Sequence, residues 1–152
     1  MKLQRLQTAL AGIWAGLLLG VGGVSAPSLF MVLDRTQAGL GAGRIFATEA
    51  RLSLFIAVVL YALERRRVRD LAESGVAGSV MTGNLLLMLA ALFLTIFGQF
   101  ALHPMIEAAK AGEPTLLSFG ALHGISAALF WIKALCVLAL AWRLTRLASR
   151  QP

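Results

Sequence analysis

The chain has 152 residues, 59% of them hydrophobic and 14% charged, with a mean hydropathy of +0.80. An ordinary soluble domain is about 45–50% apolar and about 25% charged, so this composition excludes a water-soluble globular fold and points to the membrane. The net charge of +7 and the isoelectric point near 11.1 do not indicate nucleic acid, because the basic residues collect at the ends of apolar stretches.

A bilayer core roughly 30 Å thick takes about 20 apolar residues per helix, and four such stretches occur, at 6–33, 45–63, 85–103 and 116–142. The sequence therefore predicts one all-α domain, an integral membrane four-helix bundle running antiparallel, up-down-up-down, with a kinked first helix. The longest connection, 64–84, is too short to bury a core of its own. Lys2 and Arg5 precede the first span, Arg65, Arg66, Arg67 and Arg69 follow the second, and Arg143, Arg146 and Arg150 follow the fourth. These positions fall on one side of a four-span chain. The positive-inside pattern then predicts cytoplasmic termini. It also predicts contact with anionic headgroups, worth about 1 kcal/mol per basic residue near the surface.

In chain order, the first span also has the layout of a secretory signal, with Val24-Ser25-Ala26 as a small-residue cleavage pattern. Pro27 after that point and the apolar run through Leu33 favour a retained helix. Gly12, Gly16 and Gly20 recur every four residues, so they share one face where a neighbouring helix can approach closely. Pro27 lacks an amide hydrogen and displaces the carbonyl of Gly23, which predicts a kink. That freed carbonyl needs a partner in lipid.

Residues 34–43, DRTQAGLGAG, read as an outside turn. In the second span Glu49 and Arg51 lie two positions apart and so do not face each other. Arg51 can snorkel outward, whereas Glu49, with Ser53 one turn on, suits a polar interior. The connection that follows carries the basic run, and Gly75 and Gly78 are the expected helix breakers. Neither has the spacing of a phosphate-binding loop. In the third span Thr95, Gln99 and His103 form a narrow polar line, and Gly112 with Pro114 ends the short link to the fourth.

In the fourth span His123, Ser126, Phe130 and Lys133 share a face at 100° per residue, beside a small-residue face of Gly120, Gly124 and Ala128. The pattern predicts that the small face packs and that His123, Ser126 and Lys133 look inward. Glu49, Gln99, His103 and His123 are expected at a common level in the outer half of the bundle. A hydrogen-bonded interior histidine and a ligating one both fit His123. Cys136 is the single cysteine, which excludes an intrachain disulfide.

Ala26-Pro27-x-Leu29-Phe30, then Ala38-Gly39 and Gly43-Arg44-x-Phe46, and finally Leu122-His123-Gly124-x-Ser126 resemble the bacterial family called domain of unknown function 4149, related to eukaryotic transmembrane protein 205. The resemblance spans nearly the whole chain. It implies a four-helix membrane bundle, in agreement with the span count, and it implies no particular activity. The family often places an asparagine shortly after the serine, where this chain has Ala127 to Phe130. A more distant similarity, in helix number and histidine placement, is to copper-resistance D type and haem-binding protoporphyrinogen-oxidase-like membrane proteins.

Three functional readings follow. The first is a non-catalytic interaction or assembly component, with a homo-oligomer or another membrane protein as partner. In the second, His103 and His123 bind a haem or a metal ion, since imidazole suits iron, copper and zinc and two histidines are the minimum for bis-histidine axial haem ligation. In the third, the polar groups line a path for a small solute or ion. No catalytic triad order, zinc-protease motif or nucleotide motif is present, so the enzyme reading ranks last.

Overall fold

The computed structural model describes residues 2–75 and 81–148, and Gly78 and Arg150 lie outside them. The described residues form six α-helices: α1 (Lys2–Leu19), α2 (Ala26–Val32), α3 (Arg35–Glu73), α4 (Gly83–Phe97), α5 (His103–Lys110) and α6 (Phe119–Ala148). Two π-helical turns, Gly20–Ser25 and Gly98–Leu102, join α1 to α2 and α4 to α5 without a break. Four helices long and apolar enough to cross a membrane result: Leu3–Val32, Arg35–Glu73, Gly83–Lys110 and Phe119–Leu147. The fold is an all-α four-helix membrane bundle.

Each π turn stops just short of a proline, Pro27 in α2 and Pro104 in α5. A proline cannot donate to the helix ladder, and a π turn shifts the register by one residue so that the chain continues helical beyond it. The Ala26 amide accordingly bonds the Val21 carbonyl and the His103 amide bonds that of Gly98. Ser28 donates its hydroxyl to the Val24 carbonyl at 2.7 Å, satisfying one more acceptor in this stretch.

Residues 35–43 are already helical, so the turn expected over 34–43 is confined to Leu33 and Asp34. Asp34 is the reason: its carboxylate accepts the amides of Thr36 and Gln37 at 2.9 and 3.0 Å, an N-cap that starts α3 directly after Leu33. Such a cap contributes about 1 kcal/mol. At the other end α3 continues past the basic run to Glu73, and Gly75, at φ +78°, takes the left-handed conformation that ends it, as a glycine past a helix terminus does.

The helices pack in a ring, α1 on α3, α3 on α4, α4 on α6 and α6 on α1. On α1 the buried positions are Gln4, Gln7, Ala11, Trp14, Ala15 and Leu18, and Val21 continues the face into the π turn; apart from Ala15 they alternate by three and four as in a heptad seam. Trp14, Leu18, Leu60, Met88, Val137, Leu140 and Leu144 are fully enclosed and form the core. A smaller cluster of Leu102, Ile106 and Leu122 seats the start of α6 on α5.

Within the chain, the glycines of the first span make no close helix contact. Gly12 and Gly16 face outward, and β-carbons added at Gly12, Gly16 or Gly20 would meet nothing within 4 Å. They lie beside the heptad seam, not on it. Close approach is made by Gly22, where an added β-carbon would collide with the Phe130 ring, and by Gly83, where it would sit 2.6 Å from Nη2 of Arg143.

Candidate functional site

Two polar layers cross the bundle. The deeper one is built on α3 and α6, which face each other diagonally across the ring. Glu49 and Ser53 occupy the buried seam of α3 together with Ile56, Leu60 and Glu64, and the spacing of that seam is what turns both side chains inward. Lys133 lies on the corresponding seam of α6, with Val137, Leu140 and Leu144.

Lys133 Nζ donates to both carboxylate oxygens of Glu49 at 2.9 Å. Ser53 donates a short hydrogen bond to Glu49, and Trp14 Nε1 donates to the Ser53 hydroxyl at 2.7 Å. Glu49 is 3% exposed and Lys133 5%, so the pair is withdrawn from water, where such a pair survives only if its remaining capacity is also met. The Phe130 ring lies 5.0 Å from Lys133 Nζ and meets Phe46 edge-on at 5.2 Å, so the ammonium also faces an aromatic surface. Three helices, α1, α3 and α6, are thus joined through one network.

The second layer closes one end of the bundle. Glu64, fully buried, accepts from Gln7 Nε2 at 3.0 Å, from Thr82 at 2.7 Å and from Arg67 Nε and Nη2 at 2.9 and 2.7 Å. Thr82 meanwhile caps α4 by accepting the Leu85 amide at 3.1 Å. Arg143 donates to Asn84 at 3.0 Å, which brings the end of α6 into the same layer. Arg5, Arg65, Arg66, Arg67, Arg69, Arg143 and Arg146 therefore share one end of the molecule.

The predicted site residues separate. Glu49 and Lys133 come together, a pairing that spacing within a single helix does not predict, because the two residues stand 84 positions apart. Ser126 is half-buried on the inward stripe of α6. His123 instead faces outward, stacked on Phe119 at 5.8 Å, and Gly120, Gly124 and Ala128 face outward too. The reason is angular: the buried stripe of α6 runs Leu122, Lys133, Val137, Leu140, Leu144, and His123 lies roughly 80° from its centre at 100° per residue. Gln99 and His103 are half-buried at the π turn and the start of α5, and among the described residues Glu49 is bonded to Ser53 and Lys133 and to none of Gln99, His103 and His123. Thr95 is satisfied within its own helix by the Ala91 carbonyl at 2.8 Å. Among the described residues no group of three or more His, Cys, Asp or Glu side chains is arranged to hold a metal ion.

The sequence reading does not single out the buried Gln7, Trp14, Glu64 and Asn84, or Thr82 and Arg143, which bond to them from the edge of the bundle. The signal was present for the first two, since Gln7 and Trp14 fall on the three-four alternation of α1. For Glu64 and Arg143 the charge pattern that reads as topology hid their inward roles.

These features define a class: a four-span membrane bundle crossed by a buried carboxylate–ammonium pair and closed at one end by a polar clamp. The chain belongs to the family described as domain of unknown function DUF4149, whose model matches residues 9–114. The matched segment contains Glu49 and Glu64 and ends before α6, so Lys133 and His123 lie beyond it. No curated protein and no solved structure matches the chain.

Proposed function

We propose that this chain is a non-catalytic assembly component of a bacterial inner membrane, with both termini cytoplasmic, that holds its own four helices through internal polar contacts and offers outward small-residue faces to another membrane helix. The observation that carries this reading is the deeper layer: Glu49, Lys133, Ser53 and Trp14 direct their polar atoms at one another. Buried polar networks of this kind specify which helices pair. The outward faces of Gly12, Gly16 and Gly20 and of Gly120 and Gly124 then have room for a partner's backbone, as small-xxx-small faces do in lipid. The shared end of the arginines supports the orientation.

The test uses single cysteines at Gly12, Gly16, Gly120 and Gly124 in a Cys136→Ala background, cross-linked in native membranes. Gly12→Cys or Gly16→Cys should give an adduct, with a second copy or another membrane protein, several-fold stronger than Leu86→Cys on a different outward face. Equal yields at all positions would remove the assembly reading. The path for a small solute or ion keeps one observation in its favour, the ionisable pair inside the spans; flux into liposomes that falls on Glu49→Gln would replace the assembly reading with that one.

A further inference from the structure

A groove of about 270 Å³ opens sideways between α3 and α4, lined by Ala57, Val58, Tyr61, Met88, Leu89 and Leu92. Its floor is closed, with Ala57 2% and Met88 1% exposed, while Val58, Tyr61 and Leu89 stand on its open rim. It faces outward within two spans, so its surroundings are acyl chains.

What distinguishes it from any lipid-facing furrow is its end. Tyr61 is the only tyrosine of the chain, and Arg65 follows it one turn on. At 100° per residue Arg65 lies within roughly 40° of Tyr61 and 20° of Val58, so it stands above the groove on the same face. The rise of 1.5 Å per residue puts it roughly 6 Å beyond Tyr61. Arg67 is committed to Glu64 and Arg143 to Asn84. The Arg65 side chain is half-buried and, among the described residues, makes no hydrogen bond or ion pair. The groove therefore has an apolar floor, a phenol at the level where tyrosine prefers the interface, and an uncommitted guanidinium at its mouth.

We propose that this groove is a binding site for one anionic phospholipid, an acyl chain lying against Ala57, Met88 and Leu92 and the headgroup phosphate held by Arg65 with the Tyr61 hydroxyl. A planar guanidinium pairs with phosphate through two N–H donors, which a lysine cannot do. The site rests on the membrane-spanning fold and stands whether or not the chain is an assembly component.

Native mass spectrometry of the purified full chain, equilibrated with equal amounts of phosphatidylglycerol and phosphatidylcholine of the same acyl length, tests it. The parent should retain one phosphatidylglycerol about five-fold in preference to phosphatidylcholine, the effect of one basic residue at a headgroup. Arg65→Gln should abolish the preference. Arg66→Gln removes the same charge 100° around the helix and should leave the preference intact. Leu89→Trp fills the groove and should lower retention of both lipids, with circular dichroism and a monodisperse profile required of every variant. If Leu89→Trp fails that requirement, Val58→Phe takes its place. Equal retention of the two lipids by the parent, or equal losses in the Arg65 and Arg66 variants, would overturn the proposal.

Discussion

Lys133 and Glu49 illustrate how a buried charge is made tolerable. The carboxylate has the ammonium on both oxygens and the Ser53 hydroxyl beside it, and Ser53 is itself held by Trp14. Removing one partner leaves the other charge buried alone, which costs about 3–5 kcal/mol, whereas removing both is often neutral. Lys133→Met should therefore destabilise the protein strongly, and the Glu49→Gln/Lys133→Met double variant should recover most of the loss. Unfolding titrations in mixed detergent would measure this. A double variant no more stable than Lys133→Met would mean that the pair does not act as a unit. The inward direction of Glu49 was legible, since Ser53 one turn on marks a polar stripe. Its partner was not, because Lys133 is 84 residues away and nothing local says how far its stem will reach across a diagonal.

At the scale of elements, span number and apolar length were legible because the bilayer imposes them, and the start of α3 was not because a single Asp34 cap outweighs a glycine-rich composition. The glycine pattern leaves the packing face open for a related reason. Regular spacing shows that residues share a face, and it does not show which face the bundle uses; on α1 the heptad positions of Gln7, Ala11, Trp14 and Leu18 decide that. The glycine that matters for packing is Gly22, in the π turn, because Phe130 fills the space its missing side chain leaves. Gly22→Ala should push Phe130 off Lys133 and Phe46 and cost about 1–3 kcal/mol, the range for overpacking a core. Gly12→Ala, with open space around it, should change stability by less than about 0.5 kcal/mol. Thermal unfolding followed by circular dichroism would rank the two, and equal effects would refute the assignment of Gly22 as the packing position.

For the whole molecule the polar clamp and the charge distribution make one argument. Gln7 near the start of α1, Glu64 in the last third of α3, Thr82 and Asn84 at the start of α4 and Arg143 near the end of α6 meet in a single layer. The arginines near these residues cannot be divided between two sides of a membrane. Arg35, Arg44 and Lys110 stand elsewhere, accompanied by Asp34, Glu107 and Glu113. A bundle inserted the other way would carry the larger basic cluster outward, against the positive-inside bias. In a Cys136→Ala background, Glu113→Cys should react with a membrane-impermeant maleimide on intact spheroplasts, and Asp70→Cys should react only after lysis. Both positions are exposed in the protein, so shielding within the fold does not account for a difference between them. Labelling in the reverse order would invert the orientation while leaving the clamp in place. It would also move the proposed phospholipid groove to the outer leaflet, because Arg65 belongs to the same end as the clamp.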